Sequence, residues 1–163
     1  MANEVSAMQL PDSEIIVLDG KNKKMGRLAS VTAKLLLEGR QVIVVNAKDI
    51  VLTGTRRWVL EYWHRKVSRS DIANPRRYGP KIPLRPDLFF KRVVRGMLPR
   101  KQWKGRAALK RLKVYIGFPQ ELADKYPVLD LQEIDISNTQ LPRNKVVRLG
   151  ELLQLLGWKP RGE

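Results

Sequence analysis

A chain of 163 residues, of which 43% are hydrophobic, is long enough to form one domain with a substantial core. It has no cysteine, which excludes a disulfide framework and a thiolate metal site, and its apolar runs are too short to span a bilayer. The net charge of +16 predicts a polyanionic partner, and the composition fits a protein of the reducing cytoplasm.

The pattern near the start of the chain predicts a βαβ unit. Residues 1–14 are polar and are predicted to form a loose leader. Residues 15–18 and 42–45 are continuous apolar runs, which are typical of strands buried on both faces. Between them, apolar residues recur at helical spacing over residues 26–37, and Gly39 supplies a C-terminal stop. A helix between two strands, joined by short turns, predicts parallel strands and a right-handed crossover.

The excess positive charge lies in one central block, residues 56–113. This block contains 19 Lys and Arg residues against three acidic ones, whereas the rest of the chain is balanced at 13 of each. Charge confined to one segment indicates a binding surface more than a general aid to solubility. No Asp or Glu occurs over residues 91–117, so we expect a polyanion or screening salt to cover this part of the protein.

The block begins with a predicted helix over residues 56–67. Its inward residues are expected to be Val59, Leu60, Trp63 and Val67. Its outward cations are expected to be Arg56, Arg57, Arg65 and Lys66. The basic arm, residues 68–86, follows and contains four prolines and several arginines. Proline at this density prevents regular structure, so we predict a long basic loop that becomes ordered on its partner.

Two further helices and a strand complete the block. Pro86 suits the first turn of a helix whose apolar face is Phe89, Phe90, Val93, Val94 and Met97. Pro99 ends this helix, a basic helix is predicted over residues 104–112, and a strand over 114–116. Beyond residue 117 the chain is neutral, with a short helix predicted at 120–126, an irregular or extended segment at 128–136 and a terminal helix at 148–156.

The sequence offers few candidates for catalysis. The segment from Gly20 to Leu28 lies between a strand and a helix, but its spacing does not match the P-loop. The start of that helix could still hold an RNA phosphate. His64 is the only histidine and lacks the partners of a zinc site or a triad. Asp19, Asn46 and Asp49 could meet at the carboxyl edge of the sheet, although capping of turns is the interpretation that we prefer.

Aromatic residues within the basic block could stack on nucleic-acid bases. Tyr78 and Trp103 are flanked by basic residues and are predicted contacts. Trp58 and Trp63 lie at helical spacing, which is more typical of core residues, and we assign them to the core.

The residues around the end of the third helix resemble a known signature. The run VRGMLP at residues 94–99, then Gly105-Arg106 after five residues, then LKRLKVYIG at residues 109–117, closely resembles the ribosomal protein L13 family. GRLAS at residues 26–30 and VVNA at residues 44–47 match other recurrent stretches of that family. The helix and arm, together with the C-terminal LGEL, resemble its archaeal or eukaryotic branch.

The resemblance implies a three-layer α/β/α fold around a four-stranded parallel sheet. It divides the chain into the leader, an L13-like core over residues 15–118 that includes the arm, and a C-terminal extension over residues 119–163. It implies a structural protein of the large ribosomal subunit, cytoplasmic and without enzymatic activity, that binds 23S-type rRNA beside other ribosomal proteins. No cofactor, metal, membrane or small-molecule substrate is expected.

The predicted RNA contacts combine this resemblance with the charge pattern. They are Lys23, Lys24, Arg27, Arg56, Arg57, Arg65, Lys66, Arg69, Arg76, Arg77, Tyr78, Lys81, Arg85, Arg92, Arg95, Arg100, Lys101, Trp103, Lys104, Arg106 and Lys110. Two alternatives remain open from the sequence. One is a nucleic-acid-processing enzyme with an acidic site around Asp19 and Asp49, and the other is a free regulatory RNA-binding protein.

Overall fold

The computed structural model describes residues 15–69, 81–126, 128–136 and 142–160. The predicted leader lies outside the described residues, and so does the middle of the arm, including Arg76, Arg77 and Tyr78.

The described segments contain six strands and six α-helices. The strands are β1 (Ile15–Asp19), β2 (Gln41–Val45), β3 (Val51–Thr53), β4 (Leu112–Val114), β5 (Val128–Leu129) and β6 (Val146–Arg148). The helices are α1 (Met25–Leu37), α2 (Arg56–Val67), α3 (Pro86–Met97), α4 (Trp103–Lys110), α5 (Gln120–Lys125) and α6 (Leu149–Leu155). Short 3-10 turns occupy Ala47–Asp49, Gln132–Ile134 and Arg143–Lys145.

A four-stranded parallel sheet with the order β4-β2-β1-β5 forms the centre of the fold. In β1, Ile16 and Leu18 face the main hydrophobic cluster, whereas Val17 belongs to a second, smaller cluster on the other side. Helices α1, α3 and α4 pack together on the main cluster, and Leu122 and Tyr126 in and after α5 pack on the second. The strands are therefore covered on both faces, as their continuous apolar runs predict, and the three-layer α/β/α fold is confirmed.

Residues of the C-terminal extension take part in the same sheet and core. Strand β5 pairs with β1, and β6 pairs antiparallel with β3 in a second, two-stranded sheet. Leu149, Leu152 and Leu153 of α6 are buried in the main cluster. The sequence pattern did not predict β3 or β6, and it left residues 128–136, where β5 lies, as irregular or extended, because strands of two or three residues are too short to show a clear periodicity.

Two expectations about the basic block were wrong in detail. The strand predicted at residues 114–116 lies at Leu112–Val114. Met97, expected in the apolar face of α3, is 44% exposed, whereas Phe89, Phe90 and Val94 are buried. Met97 is the last residue of α3, and the extended residue Leu98 that follows it is the one buried at this end.

Candidate RNA interface

The turn between α3 and α4 folds back onto the first turn of α4. The Pro99 carbonyl accepts a hydrogen bond from the Gln102 N–H at 3.0 Å, and this carbonyl lies against Gly105. A Cβ atom on Gly105 would come within 2.3 Å of the Pro99 oxygen, far inside van der Waals contact. Glycine at this position therefore allows the turn and the helix to approach as closely as they do.

Basic side chains line the surface that this close approach creates. A hollow of about 410 Å³ opens between the end of α3, the turn and α4. Its cations are Arg95, Arg100, Lys101 and Arg106, all of them exposed, and Leu98 and Leu109 form part of its wall. Among the described residues, no acidic side chain lines this basic hollow, so the charges that line it are all positive and suit a phosphate group.

Further predicted contacts lie on α4 but do not line the basic hollow. Lys104 and Lys110 are exposed, and Trp103, at the first position of the helix, is 76% exposed. An indole ring so open to solvent beside several cations can stack on a base. Of the predicted contacts in this region, the structure brings four together in one hollow, namely Arg95, Arg100, Lys101 and Arg106.

A second hollow, of about 350 Å³, joins α2 to α3. Its cations are Lys66, Arg69 and Arg92. The Arg92 guanidinium donates a hydrogen bond to the Lys81 carbonyl at 2.8 Å, which holds the end of the arm against α3. The rings of Trp63 and Phe89, 4.7 Å apart, pack α2 against α3 beneath this surface. The two hollows both border α3, so the basic surface continues from α2 to α4.

The N-terminal half of α2 carries cations that are paired with acids. Arg56 pairs with Glu151 of α6 and Arg57 with Glu61, each at 2.9 Å. The hydrogen bond from Arg57 to Glu61, together with the negative charge of Glu61, raises the pKa of Arg57 above its ordinary value. All of these side chains are exposed, and exposed ion pairs contribute little to stability, so phosphates can replace the carboxylates at small cost.

Lys23 does not belong to this surface, contrary to the prediction. Its side chain is 1% exposed, and its Nζ lies 2.6 Å from Asp130 and 3.1 Å from Asp135. Burial by itself lowers the pKa of Lys23, but the hydrogen bonds and charges of Asp130 and Asp135 outweigh it and leave the pKa above 10.5. The two carboxylates lie more than a hundred residues away in sequence, so the turn before α1 gave no sign of this buried ion pair.

Other predicted contacts lie away from the two hollows. Arg27 is exposed in the first turn of α1, and Lys24 is half-buried with its backbone paired to Val51. Arg85 is exposed but makes two hydrogen bonds with Asp87. Arg111 belongs to the charge block but points inward, where it donates to the Leu36 carbonyl at 2.7 Å near the end of α1.

The residues considered for catalysis have structural partners. The Asp19 carboxylate accepts hydrogen bonds from the Lys21 N–H and the Asn46 side chain, both at 2.9 Å, as expected of a turn-stabilising residue. Asp49 lies at the wall of a cavity of about 880 Å³ at the carboxyl edge of the sheet, 4.0 Å from Arg148. Within the described ranges, no three His, Asp or Glu side chains lie close enough to hold a metal ion.

Comparison with known proteins decides the family. The family model of ribosomal protein L13 matches residues 13–121, which include both hollows and the helices of the basic surface. This chain belongs to the ribosomal protein L13 family. The resemblance seen in the sequence is thereby confirmed.

Curated L13 relatives extend the match beyond the family model. Large ribosomal subunit protein uL13 of Methanopyrus kandleri is 44% identical over 151 residues, or 91% of each chain. The protein of the same name from Pyrobaculum islandicum is 44% identical over 88% of this chain and 80% of its own length. That of Methanosphaera stadtmanae is 39% identical over 89% and 99%. These archaeal relatives confirm the branch that the sequence indicated.

One feature of the L13 surface was missed by the sequence interpretation. Trp58, which we assigned to the core, is 58% exposed on the outer face of α2. Its position four residues before Tyr62 and seven before Arg65 places it on the polar side of the helix. That spacing could have identified it.

Among the helices of the described segments, none is long and apolar enough to cross a membrane.

Proposed function

We propose that this protein is a structural constituent of the large ribosomal subunit and that it binds 23S-type rRNA through its basic surface. The observation that carries the proposal is the basic hollow, which Arg95, Arg100, Lys101 and Arg106 line together and to which no described acidic residue contributes. A member of the L13 family with such a surface is suited to a site where rRNA phosphates are crowded.

The mechanism is charge neutralisation. Phosphates that enter the two hollows release their condensed counterions, and this release favours binding most strongly at low salt. Cations supplied by α2, α3 and α4 lower the repulsion between RNA segments that pack against the protein. Contacts to phosphate and ribose position the protein, and RNA shape and unpaired bases provide the specificity.

The proposed setting follows from the relatives, whose name places them in the large subunit. The partners are rRNA and neighbouring ribosomal proteins, and the location is the cytoplasmic ribosome. No cofactor or small-molecule substrate is part of the proposal. The enzyme alternative is disfavoured because the Asp19 carboxylate accepts hydrogen bonds from the Lys21 N–H and from the side chain of Asn46, which follows β2.

The salt dependence of RNA binding tests the proposed surface. The test variant replaces Arg95, Arg100, Lys101 and Arg106 with Gln. The control variant makes the same change of charge at exposed lysines outside the charge block, namely Lys34, Lys125, Lys145 and Lys159. The probe is large-subunit rRNA stripped of protein, and affinity is measured across a range of salt concentrations.

The test variant should weaken binding and flatten the slope of log K against log salt. Each phosphate that the variant no longer neutralises should reduce that slope by roughly 0.7 to 0.9, the range between single-stranded and duplex nucleic acid. The control variant should keep a slope near that of the unmodified protein. Equal slopes for the two variants would show that the basic hollow is not the RNA site.

Fractionation of cell lysates separates the ribosomal proposal from a free regulatory RNA-binding protein. A subunit protein should comigrate with large subunits in a sucrose gradient at one copy per subunit and leave them only at high salt. Recovery of most of the protein in ribosome-free fractions at low salt would favour the regulatory alternative.

A further inference from the structure

An exposed aromatic pair lies on the outer face of α2. The rings of Trp58 and Tyr62 stack with centroids 5.2 Å apart and planes 14° from parallel. Trp58 is 58% exposed and Tyr62 38% exposed. The Lys66 ammonium lies 4.2 Å from the centroid of the Tyr62 ring, close enough for a cation–π interaction. The aromatic pair thus continues into the cations of the basic surface.

Packing within the protein does not account for the position of Trp58. Its neighbour Trp63 shows what a packing role requires, because that ring is half-buried and contacts Phe89. Gly54 lies beside the Trp58 ring, and a Cβ atom there would be 3.4 Å from Cε3 of Trp58.

The charges around the aromatic pair favour RNA over an apolar protein surface. Arg57, Arg65 and Lys66 are exposed on the same helix, and Glu61 is hydrogen-bonded to Arg57. A protein partner that covered the rings would also have to desolvate these cations, which is costly without matching acids. Single-stranded RNA offers both complements, since bases stack on aromatic rings and phosphates pair with the adjacent cations.

The position of the aromatic pair also connects it with the proposed RNA surface. Lys66 both lies over the Tyr62 ring and lines the hollow between α2 and α3, together with Arg69 and Arg92. A strand of RNA whose phosphates occupy that hollow can therefore place an adjacent base on α2.

We propose that an unpaired base of the rRNA stacks on the Trp58 ring, which Tyr62 supports from the other side, while its flanking phosphates pair with Arg65 and Lys66. This inference rests on the proposed function and adds a specific contact to it. The contact is neutral stacking, and it differs physically from the phosphate contacts of the basic hollow. The two kinds of contact can therefore be separated by their salt dependence.

Substitutions at Trp58 test the stacking. Trp58→Leu should weaken binding to protein-free large-subunit rRNA by roughly 5- to 150-fold, the range expected when one stacked base loses its aromatic platform. The slope of log K against log salt should stay unchanged because no charge is removed. Trp58→Phe should recover most of the affinity because it keeps an aromatic ring. Phe118→Leu is the control, since Phe118 is also an exposed aromatic residue, 40% exposed, but lies outside the proposed surface.

The outcomes separate this inference from the proposed function. If Trp58→Leu binds as tightly as the unmodified protein while the four Gln substitutions in the basic hollow flatten the salt slope, the stacking is wrong and the RNA surface stands. If the Gln variant also leaves the slope unchanged, the proposed surface fails as well.

An independent test places a photocrosslinking amino acid at position 58 of the protein within intact large subunits. This test does not require the Trp58→Leu variant to fold. Crosslinks to rRNA would support the stacking. Crosslinks to another ribosomal protein would overturn it.

Discussion

Gly105 is the residue on which the shape of the basic hollow depends most directly, and Gly105→Ala tests this. The added methyl group would lie 2.3 Å from the Pro99 oxygen and 2.6 Å from its carbonyl carbon. Both are backbone atoms, and the backbone N–H groups of Arg100 and Gln102 donate hydrogen bonds that fix this turn. Rotation of a side chain therefore cannot relieve the strain. Either α4 or the turn must move.

Two opposing effects set the size of the change. Alanine is favoured over glycine within a helix by about 1 kcal/mol, whereas overpacking costs roughly 1 to 3 kcal/mol and sometimes more. Because the contact is with backbone and is unusually short, the cost should lie at the upper end of that range. We therefore expect Gly105→Ala to lower the free energy of unfolding by about 2 kcal/mol.

Gly96→Ala is the matched control. Gly96 is also helical, in α3, and a Cβ atom there would meet nothing within 4 Å. This variant should be unchanged in stability or more stable, by at most about 1 kcal/mol. Urea denaturation at constant m-value gives both differences. The folded Gly105→Ala protein should also bind rRNA more weakly, because the displaced turn carries Arg100 and Lys101. If both variants changed the free energy of unfolding in the same direction, the steric reasoning would be refuted.

Two further predictions concern a buried lysine and the carboxylates at the end of β1 and after β2. Lys23→Met keeps most of the side-chain volume but leaves Asp135 and the more exposed Asp130 without their cation. The free energy of unfolding, measured with urea, should fall by about 1 to 3 kcal/mol, which is less than the cost of breaking a fully buried ion pair. Folding raises the pKa of Lys23, so its contribution to the free energy of unfolding is complete below pH 10.5 and is lost as the pH rises through the higher pKa of the folded protein. Lys23→Met should not show this loss of stability at alkaline pH. If stability depended on pH in the same way in both proteins, the assignment would be contradicted. Asp19→Asn combined with Asp49→Asn should leave rRNA affinity unchanged, because these residues are assigned to turns. Loss of a nuclease or ligase activity in that folded variant would contradict the non-enzymatic proposal.

Local sequence patterns determined much of this protein. The apolar runs at residues 15–18 and 42–45 and the helical spacing between them predicted the parallel core, because strands buried on both faces need no polar side. The helix at residues 56–67 was predicted with its observed bounds. The concentration of charge in residues 56–113 likewise predicted the exposed basic side chains of α2, α3 and α4, since unpaired cations are costly to bury.

Only the tertiary structure decided which of these residues share a surface. Lys23 looked like any lysine of a basic turn, and its burial depends on Asp130 and Asp135, which the fold brings from a distant segment. Trp63 is half-buried because its ring contacts Phe89 of α3, and this contact between two helices cannot be read from α2 alone. Local periodicity shows which side of a helix or strand is apolar. Contacts between distant segments depend on how the helices and strands pack together, and no single stretch of the chain specifies that packing.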